Sequence, residues 1–250
     1  FTAKPMMPFS PKPLTNSWMR PHGLSKSHVI KLNGMDMVPD LSGAVMVPES
    51  RTLLIADLHL EQGTSLARRG AHVPPFDTDA SLALLAAVIQ HNMPQRLIFL
   101  GDSFHDGEGS ARLAESHRSK LRAITDKIET FWISGNHDPE PPKDVGGFHA
   151  DQIILGSIVL RHEPSVVAKG QCEIAGHLHP GCVLVQRGKP LRGKCFAYDG
   201  KRLIMPAFGA YTGTLSVTSR AYHSLFEETV AEVLMIGRAA LHRFPFSRLS

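Results

Sequence analysis

Four short fragments hold between them the side chains that two metal ions require: Asp57-Leu58-His59, Gly101-Asp102-Ser103-Phe104-His105, Gly135-Asn136-His137-Asp138 and Gly176-His177-Leu178-His179. Two divalent cations held about 3.5–4 Å apart need a carboxylate that bridges them, with imidazole, carboxylate and amide groups filling the rest of each shell. Asp102 is the candidate bridge. Asp57 and His59 stand at alternate positions of one strand end, where a kink lets both reach the same ion, and His179 completes that shell. Asp102, Asn136, His162 and His177 serve the second ion. On an extended segment, the two-residue spacing of His177 and His179 puts both imidazoles on one side, within reach of neighbouring ions.

Each fragment follows a short apolar run: Leu53 to Ala56, Leu97 to Leu100, Phe131 to Ile133, and Glu173 to Ala175. Such runs read as buried strands, so the ligands sit at strand ends. His162 follows Ile158 to Arg161 in the same way, whereas His149 precedes its strand, and His162 is therefore preferred for the second ion. His22, His28, His72, His91, His117, His223 and His242 lack this context and read as surface or hydrogen-bonded residues. Phe104 and Trp132 read as core, and Arg68-Arg69 as a solvated pair outside the site.

The supporting elements alternate at first. A strand pair, Val45 to Val47 and Leu53 to Ala56, turns at Pro48-Glu49-Ser50; a helix capped by Asp77 or Thr78 runs through Ile89, and Pro94 follows it. Ala111 to Lys127 has the spacing of one amphipathic surface helix. Beyond Pro142 short strands dominate, at 152–155, 157–160, 173–175, 183–186, 193–198 and 203–205. A helix is expected between Thr218 and Phe226, then a strand over Val233 to Ile236. The pattern predicts an α/β fold of two sheets packed face to face with helices outside. Residues 1–40 read as a basic, Pro-containing tail, 41–237 as the domain and 238–250 as an unassigned segment.

With 250 residues and 42% hydrophobic content, the chain can bury a substantial core. The net charge of +4 comes from the tail: residues 1–35 hold five lysines and arginines and no acid, leaving 22 basic against 23 acidic side chains in the body. Such a tail reads as solvated, with phosphate contact the lesser alternative. The longest apolar stretch, Leu82 to Ile89, is too short to span a bilayer, and no leader is evident. Three cysteines (172, 182 and 195) form no CxxC pair and read as buried free thiols, so a cytoplasmic location is expected.

The order DxH, GDxxH, GNHD, a lone His and GHxH resembles the calcineurin-like metallophosphoesterase superfamily, over residues about 53 to 210. That resemblance implies two packed mixed β-sheets flanked by helices and hydrolysis of phosphate esters at a two-metal centre. Ala56 to Glu61, Leu100 to His105, Arg161 to Pro164, Ala175 to Pro180 and Leu203 to Gly213 are similar to the bacterial DNA-ligase-associated metallophosphoesterases. This second likeness implies a manganese-dependent phosphodiesterase that nicks DNA, working beside a ligase and a helicase-like partner in repair. The ligand types alone also admit iron, zinc or nickel.

A water held between two cations loses its proton near neutral pH and can attack phosphorus in line. His137, beside Asn136, is free to protonate the departing alkoxide, and Asp138 is expected to hold that imidazole. His105 departs from the aspartate common in the superfamily's phosphatases and resembles the variant of its double-strand-break nucleases, where it would contact a substrate oxygen. The alternative reading is a small-molecule phosphoesterase acting on nucleotides or cyclic nucleotides. A non-enzymatic adaptor would be expected to lack ligands or the acid, and this chain lacks neither.

Overall fold

The computed structural model describes residues 28–249 apart from 72, 73, 75, 141, 143 and 187. His72 and most of the expected tail therefore lie outside the described residues. The first sheet is built from β1 (Ile30–Leu32), β2 (Met35–Pro39), β3 (Val45–Val47), β4 (Thr52–Ile55), β5 (Arg96–Phe99), β6 (Glu129–Ile133) and β7 (Phe148–Ala150), in that spatial order. From β4 to β7 the strands are parallel, so the ends of β4, β5 and β6 lie along one edge. Strand β4 is buried at every position, as a strand covered on both faces should be.

The second sheet takes β8 (Gln152–Leu155), β9 (Ile158–Arg161), β10 (Cys172–Ala175), β11 (Pro180–Gln186), β12 (Lys189–Tyr198), β13 (Arg202–Ile204), β14 (Leu215–Ser216), β15 (Glu232–Ile236) and β16 (Leu241–Pro245). Its order is β14-β11-β12-β13-β10-β9-β8, with β15 also on β12 and β16 on β15. Strand content thus extends beyond 41–237 at both ends. Ile30 and Leu32 are buried in the core, and Leu234 pairs with Arg243 across the last hairpin.

The apolar faces explain the layering. Leu54, Ala56, Ile98, Leu100 and Ile133 of the first sheet meet Leu160, Ile174, Phe196, Leu203 and Leu234 of the second. On the first sheet's other face, Leu53, Ile55, Leu97, Phe99 and Trp132 pack under helices α2 (Asp77–Asn92) and α4 (Glu115–Thr125). Phe99 and Trp132 stack there with ring centroids 4.2 Å apart. Helices α1 (Gln62–Arg68) and α3 (Gly109–Arg112) complete the helical set among the described residues.

Three local expectations change. Asp77 and Thr78 do not cap α2, whose N-cap is Phe76; Asp77 accepts the Gly63 N–H, and Thr78 Oγ1 accepts the Glu61 N–H while donating to Glu61 Oε1. They brace the start of α1 instead. The single helix expected over 111–127 divides into α3 and α4 because Leu113 and Ala114 are extended, with Leu113 turned into the core. Over 218–226 there is only a 3-10 turn at Arg220–Tyr222: Ser216 Oγ takes the Thr218 N–H, and Ser224 is left-handed. Val217, Tyr222 and Phe226 nevertheless cover the second sheet's outer face.

Glu173 is fully buried in β10 and receives Arg161 Nε, Arg202 Nε and the Ser165 N–H. The cluster ties β9, β10 and β13 together beside His162. Cys172, Cys182 and Cys195 are free and buried, as expected. Among the described residues no helix is long and apolar enough to cross a membrane.

Candidate metal centre

The loops that leave β4 and β5 are zipped together by backbone bonds: His59 N–H to Asp102 O, Leu60 N–H to Ser103 O and His105 N–H to Leu60 O. Asp57, His59 and Asp102 have φ of 51, 45 and 46°. Left-handed backbone at such residues costs on the order of 1 kcal/mol each and kinks the chain, re-aiming the side chains. His177 and His179 share it, with φ of 69 and 44°, so the segment after β10 is a kinked loop and not the extended chain expected. The kinks separate the two imidazoles, one into each half of the site.

Among the described residues three groups of liganding atoms lie within 4.8 Å: Asp57, His59 and His179; Asp102, His162 and His177; and, at the rim, His59, His105 and His137, of which the first two contain a carboxylate. In the first, His59 Nε2 lies 3.2 Å from His179 Nε2, and His179 Nε2 lies 3.6 Å from Asp57 Oδ1. In the second, Asn136 Oδ1 is 2.9 Å from both His162 Nε2 and His177 Nδ1, which are 3.1 Å apart. Cis ligands about 2.1 Å from one cation lie about 3 Å apart, so these separations suit an ion in each group. Asp102 links the halves, its Oδ2 being 3.4 Å from His162 Nε2 and 3.8 Å from His59 Nε2. His162 donates Nδ1–H to Leu100 O at 2.9 Å, the kind of outer bond that orients a metal-binding imidazole.

The electrostatics fit the same chemistry. Burial pushes His59 down to about 4, with the His179 and His137 charges adding and Asp57 opposing, so its ring is neutral near pH 7. For His162, burial is outweighed by the Asp102 hydrogen bond and the Asp57 and Asp102 charges, which raise it to about 9. Burial likewise opposes the shift of Asp102, which the His162 bond and charge and the His137 N–H hold at about 2. His162 is therefore a cation below about pH 9, and coordination through its Nε2 must expel that proton. Metal loading at pH 7 is expected to release close to one proton from this residue, and affinity should climb with pH until about 9. Calorimetry in two buffers of different ionisation heat reads the number; no release would remove His162 from the shell.

Three glycines are spacers. A Cβ on Gly101 would lie 2.5 Å from the His162 ring, and one on Gly176 2.5 Å from Asp57 Oδ2. On Gly135 it would lie 2.2 Å from both Asp102 N and Asp102 Oδ1. Backbone cannot yield cheaply there, so Gly135→Ala should cost about 3 kcal/mol and lower metal content. Thermal unfolding and elemental analysis check this; wild-type values for both would contradict it.

His137 stands at the rim, its side chain 42% exposed. Its N–H donates to Asp102 Oδ1, and its Nδ1 is 2.8 Å from His105 O, leaving Nε2 3.9 Å from Asp102 Oδ2. The expected support from Asp138 is not what the structure holds: Asp138 Oδ2 accepts the Phe104 N–H, and the His105 carbonyl holds the imidazole. Burial raises the Asp138 carboxyl to about 7 against the Phe104 bond. His105 lies beside His59 and His137, at centroid distances of 5.4 and 5.5 Å, and burial lowers its pKa. His149 bonds Ser134 Oγ, away from either group.

Spacing gave no sign of Lys194. Its ammonium donates to Ala207 O, Gly209 O and Thr212 Oγ1, fixing a segment whose Phe208 and Gly209 N–H groups bond Ala56 O and Asp57 O. Lysine in a strand carries no pattern that announces such a bond.

Fold and site together define a metal-dependent phosphoesterase, with two His/Asp clusters side by side between packed mixed sheets. The chain belongs to the calcineurin-like phosphoesterase family, whose sequence profile matches residues 50–188. Among solved structures it is similar to the Pseudomonas putida nuclease MPE, at 26% identity and a TM-score of 0.67, covering 86% of this chain and 98% of that one. A phosphoesterase from E. coli, Yfce, matches at 14% identity and a TM-score of 0.39, over 78% of this chain and 98% of its own. No curated relative matches the chain in sequence.

Proposed function

We propose that this protein is a phosphodiesterase that cleaves DNA within a ligase-associated repair system. The observation that carries the reading is Asp102 Oδ2, within 3.8 Å of a histidine nitrogen in each half of the site, with His137 beside it. Asp57, His59, Asp102, Asn136, His162, His177 and His179 would hold two divalent ions, manganese by family resemblance. When bound, the ions supply an activated water at neutral pH and offset charge on the phosphate.

The chain's own groups do the rest. His137 turns Nε2 toward the centre and donates a proton to the leaving oxygen. The His105 carbonyl fixes its tautomer, and the His105 ring contacts a substrate oxygen. Asp138 is a positioning residue, anchoring the Phe104 backbone just after the bridging carboxylate. The likeness to a nuclease at 26% identity supports a nucleic-acid substrate, and the motifs that resemble ligase-associated enzymes point to DNA. A ligase and a helicase-like protein are the partners this implies, and three free thiols suit a reducing cytoplasm.

The test is nicking of supercoiled plasmid by manganese-loaded protein, run beside a bis-aryl phosphodiester, with Asp102→Asn as control. Nicking that the variant loses supports the reading. Ester hydrolysis without nicking would instead indicate a small-molecule phosphoesterase.

A further inference from the structure

Strand β11 begins at Pro180, directly after His179, and runs away from the metal centre. It pairs with β14 only at Pro180 and Gly181, while β15 joins β12 only from Cys195 onward. Beyond them β11 and β12 pair with each other, from Leu184 opposite Leu191 to Gln186 opposite Lys189. Among the described residues no other strand flanks this stretch. At about 3.4 Å per residue, β11 carries the tip roughly 20 Å from its root. Val185, Gln186, Lys189, Pro190, Leu191 and Arg192 are all exposed.

The charge is concentrated on this ribbon. Of the 22 basic residues after position 35, four lie in 180–198, at 187, 189, 192 and 194, and that stretch has no acid, whereas the rest of the body is acidic. Lys194 is committed to the segment at 207–212. Lys189 and Arg192 have no ion-pair partner among the described residues. Alternation puts them on opposite faces, Lys189 with Leu191 and Arg192 with Pro190. A two-stranded ribbon with a cation on each face matches a groove walled by phosphates on both sides, and the major groove of duplex DNA admits such a ribbon.

We propose that the β11–β12 ribbon is a DNA-binding arm, which seats Lys189 and Arg192 against the two phosphate walls of the duplex flanking the cleaved phosphate. The proposal rests on DNA being the substrate and adds where the duplex is held. Contacts of this kind position the nucleic acid without reading its sequence. The exposed Val185 and Leu191 would lie against the apolar parts of the groove.

The experiment compares the wild-type chain with the double variant Lys189→Ala/Arg192→Ala. Binding of a short labelled duplex in EDTA is followed by anisotropy from about 50 to 200 mM salt, beside plasmid nicking and bis-aryl ester hydrolysis with manganese. The variant is expected to bind at least about tenfold more weakly, with the slope of log K against log salt reduced by about two. Its ester hydrolysis should match the wild type, since that substrate is too small to reach the arm. Wild-type affinity and slope in the variant would overturn the proposal. So would a concentration-dependent dimer that the variant dissolves without losing DNA, which would assign the ribbon to a second copy of the chain. A wild-type protein that binds the duplex but nicks nothing would leave the arm standing and remove the cleavage reading; one that neither binds nor nicks removes both.

Discussion

Asp102→Asn is expected to reduce the bound metal from two ions to at most one and to lower turnover about 10³-fold or more, equivalent to about 4 kcal/mol of transition-state stabilisation. The carboxylate does three things that an amide cannot do together. Oδ1 accepts the His137 N–H, while Oδ2 faces His59 Nε2 and His162 Nε2 from between the two clusters. Its hydrogen bond and negative charge, together with the charge of Asp57, also raise the pKa of His162 when no ion is present. An asparagine keeps the acceptor for His137 but loses the charge, and its NH₂ would face imidazole nitrogens.

The same substitution has a pH signature in the metal-free protein. The folded-state pKa of His162 is raised, so the stabilisation from its pairing is fully present below about 6.5 and is lost as pH rises through about 9. The destabilisation caused by Asp102→Asn should therefore be greatest in mild acid, at no more than about 3 kcal/mol, and should fade toward pH 9. Its size is bounded because His162 can shed its proton and avoid remaining an unpaired buried cation. Metal content by elemental analysis, turnover on a bis-aryl phosphodiester and denaturant unfolding at several pH values test the three parts. A variant that keeps both ions and a tenth or more of its turnover would show that Asp102 bridges nothing.

The candidate ligands were legible because each sits where an apolar run ends, and a run such as Leu97 to Leu100 has only one interpretation beside Gly101-Asp102. Parallel neighbours β4, β5 and β6 then bring their ends together without further instruction. Residues whose role depends on backbone direction were not legible. The division of His177 and His179 between the two clusters was expected, but the extended chain expected to deliver it is a left-handed kink at both histidines. Asp138 follows His137 in sequence, yet its carboxylate turns to the Phe104 N–H, a contact 34 residues away that no local pattern encodes. The helix expected over 218–226 failed for a related reason. Val217, Tyr222 and Phe226 have spacings a helix would tolerate, but the Ser216 and Ser224 hydroxyls bond the local backbone first. Strands β1, β2 and β16 were hidden by composition: a basic tail reads as solvated, and a short arginine-containing end stays unassigned, until their partners are known.

His137→Ala should produce a different pattern from Asp102→Asn: both ions retained, turnover on DNA down about 10²–10⁴-fold, and hydrolysis of an ester with an acidic aryl leaving group reduced less than about tenfold. The backbone N–H of residue 137 would still bond Asp102 Oδ1, so the Asp102 carboxylate keeps its orientation. What disappears is a ring fixed through Nδ1 by the His105 carbonyl, with Nε2 turned toward the centre and open to solvent on its other side. In the proposed role that ring gives a proton to an alkoxide, which is a poor leaving group, whereas an aryloxide departs without help. The dependence on leaving group is therefore the signature, and a merely structural loss would not reproduce it. Equal losses on the two substrates would remove the general-acid role. Loss of an ion would assign His137 a different task, since its ring also lies within 4.8 Å of nitrogen atoms on His59 and His105, and the three together could take part in holding a cation. Measuring metal content and both rates on the same preparation separates proton donation from ligation.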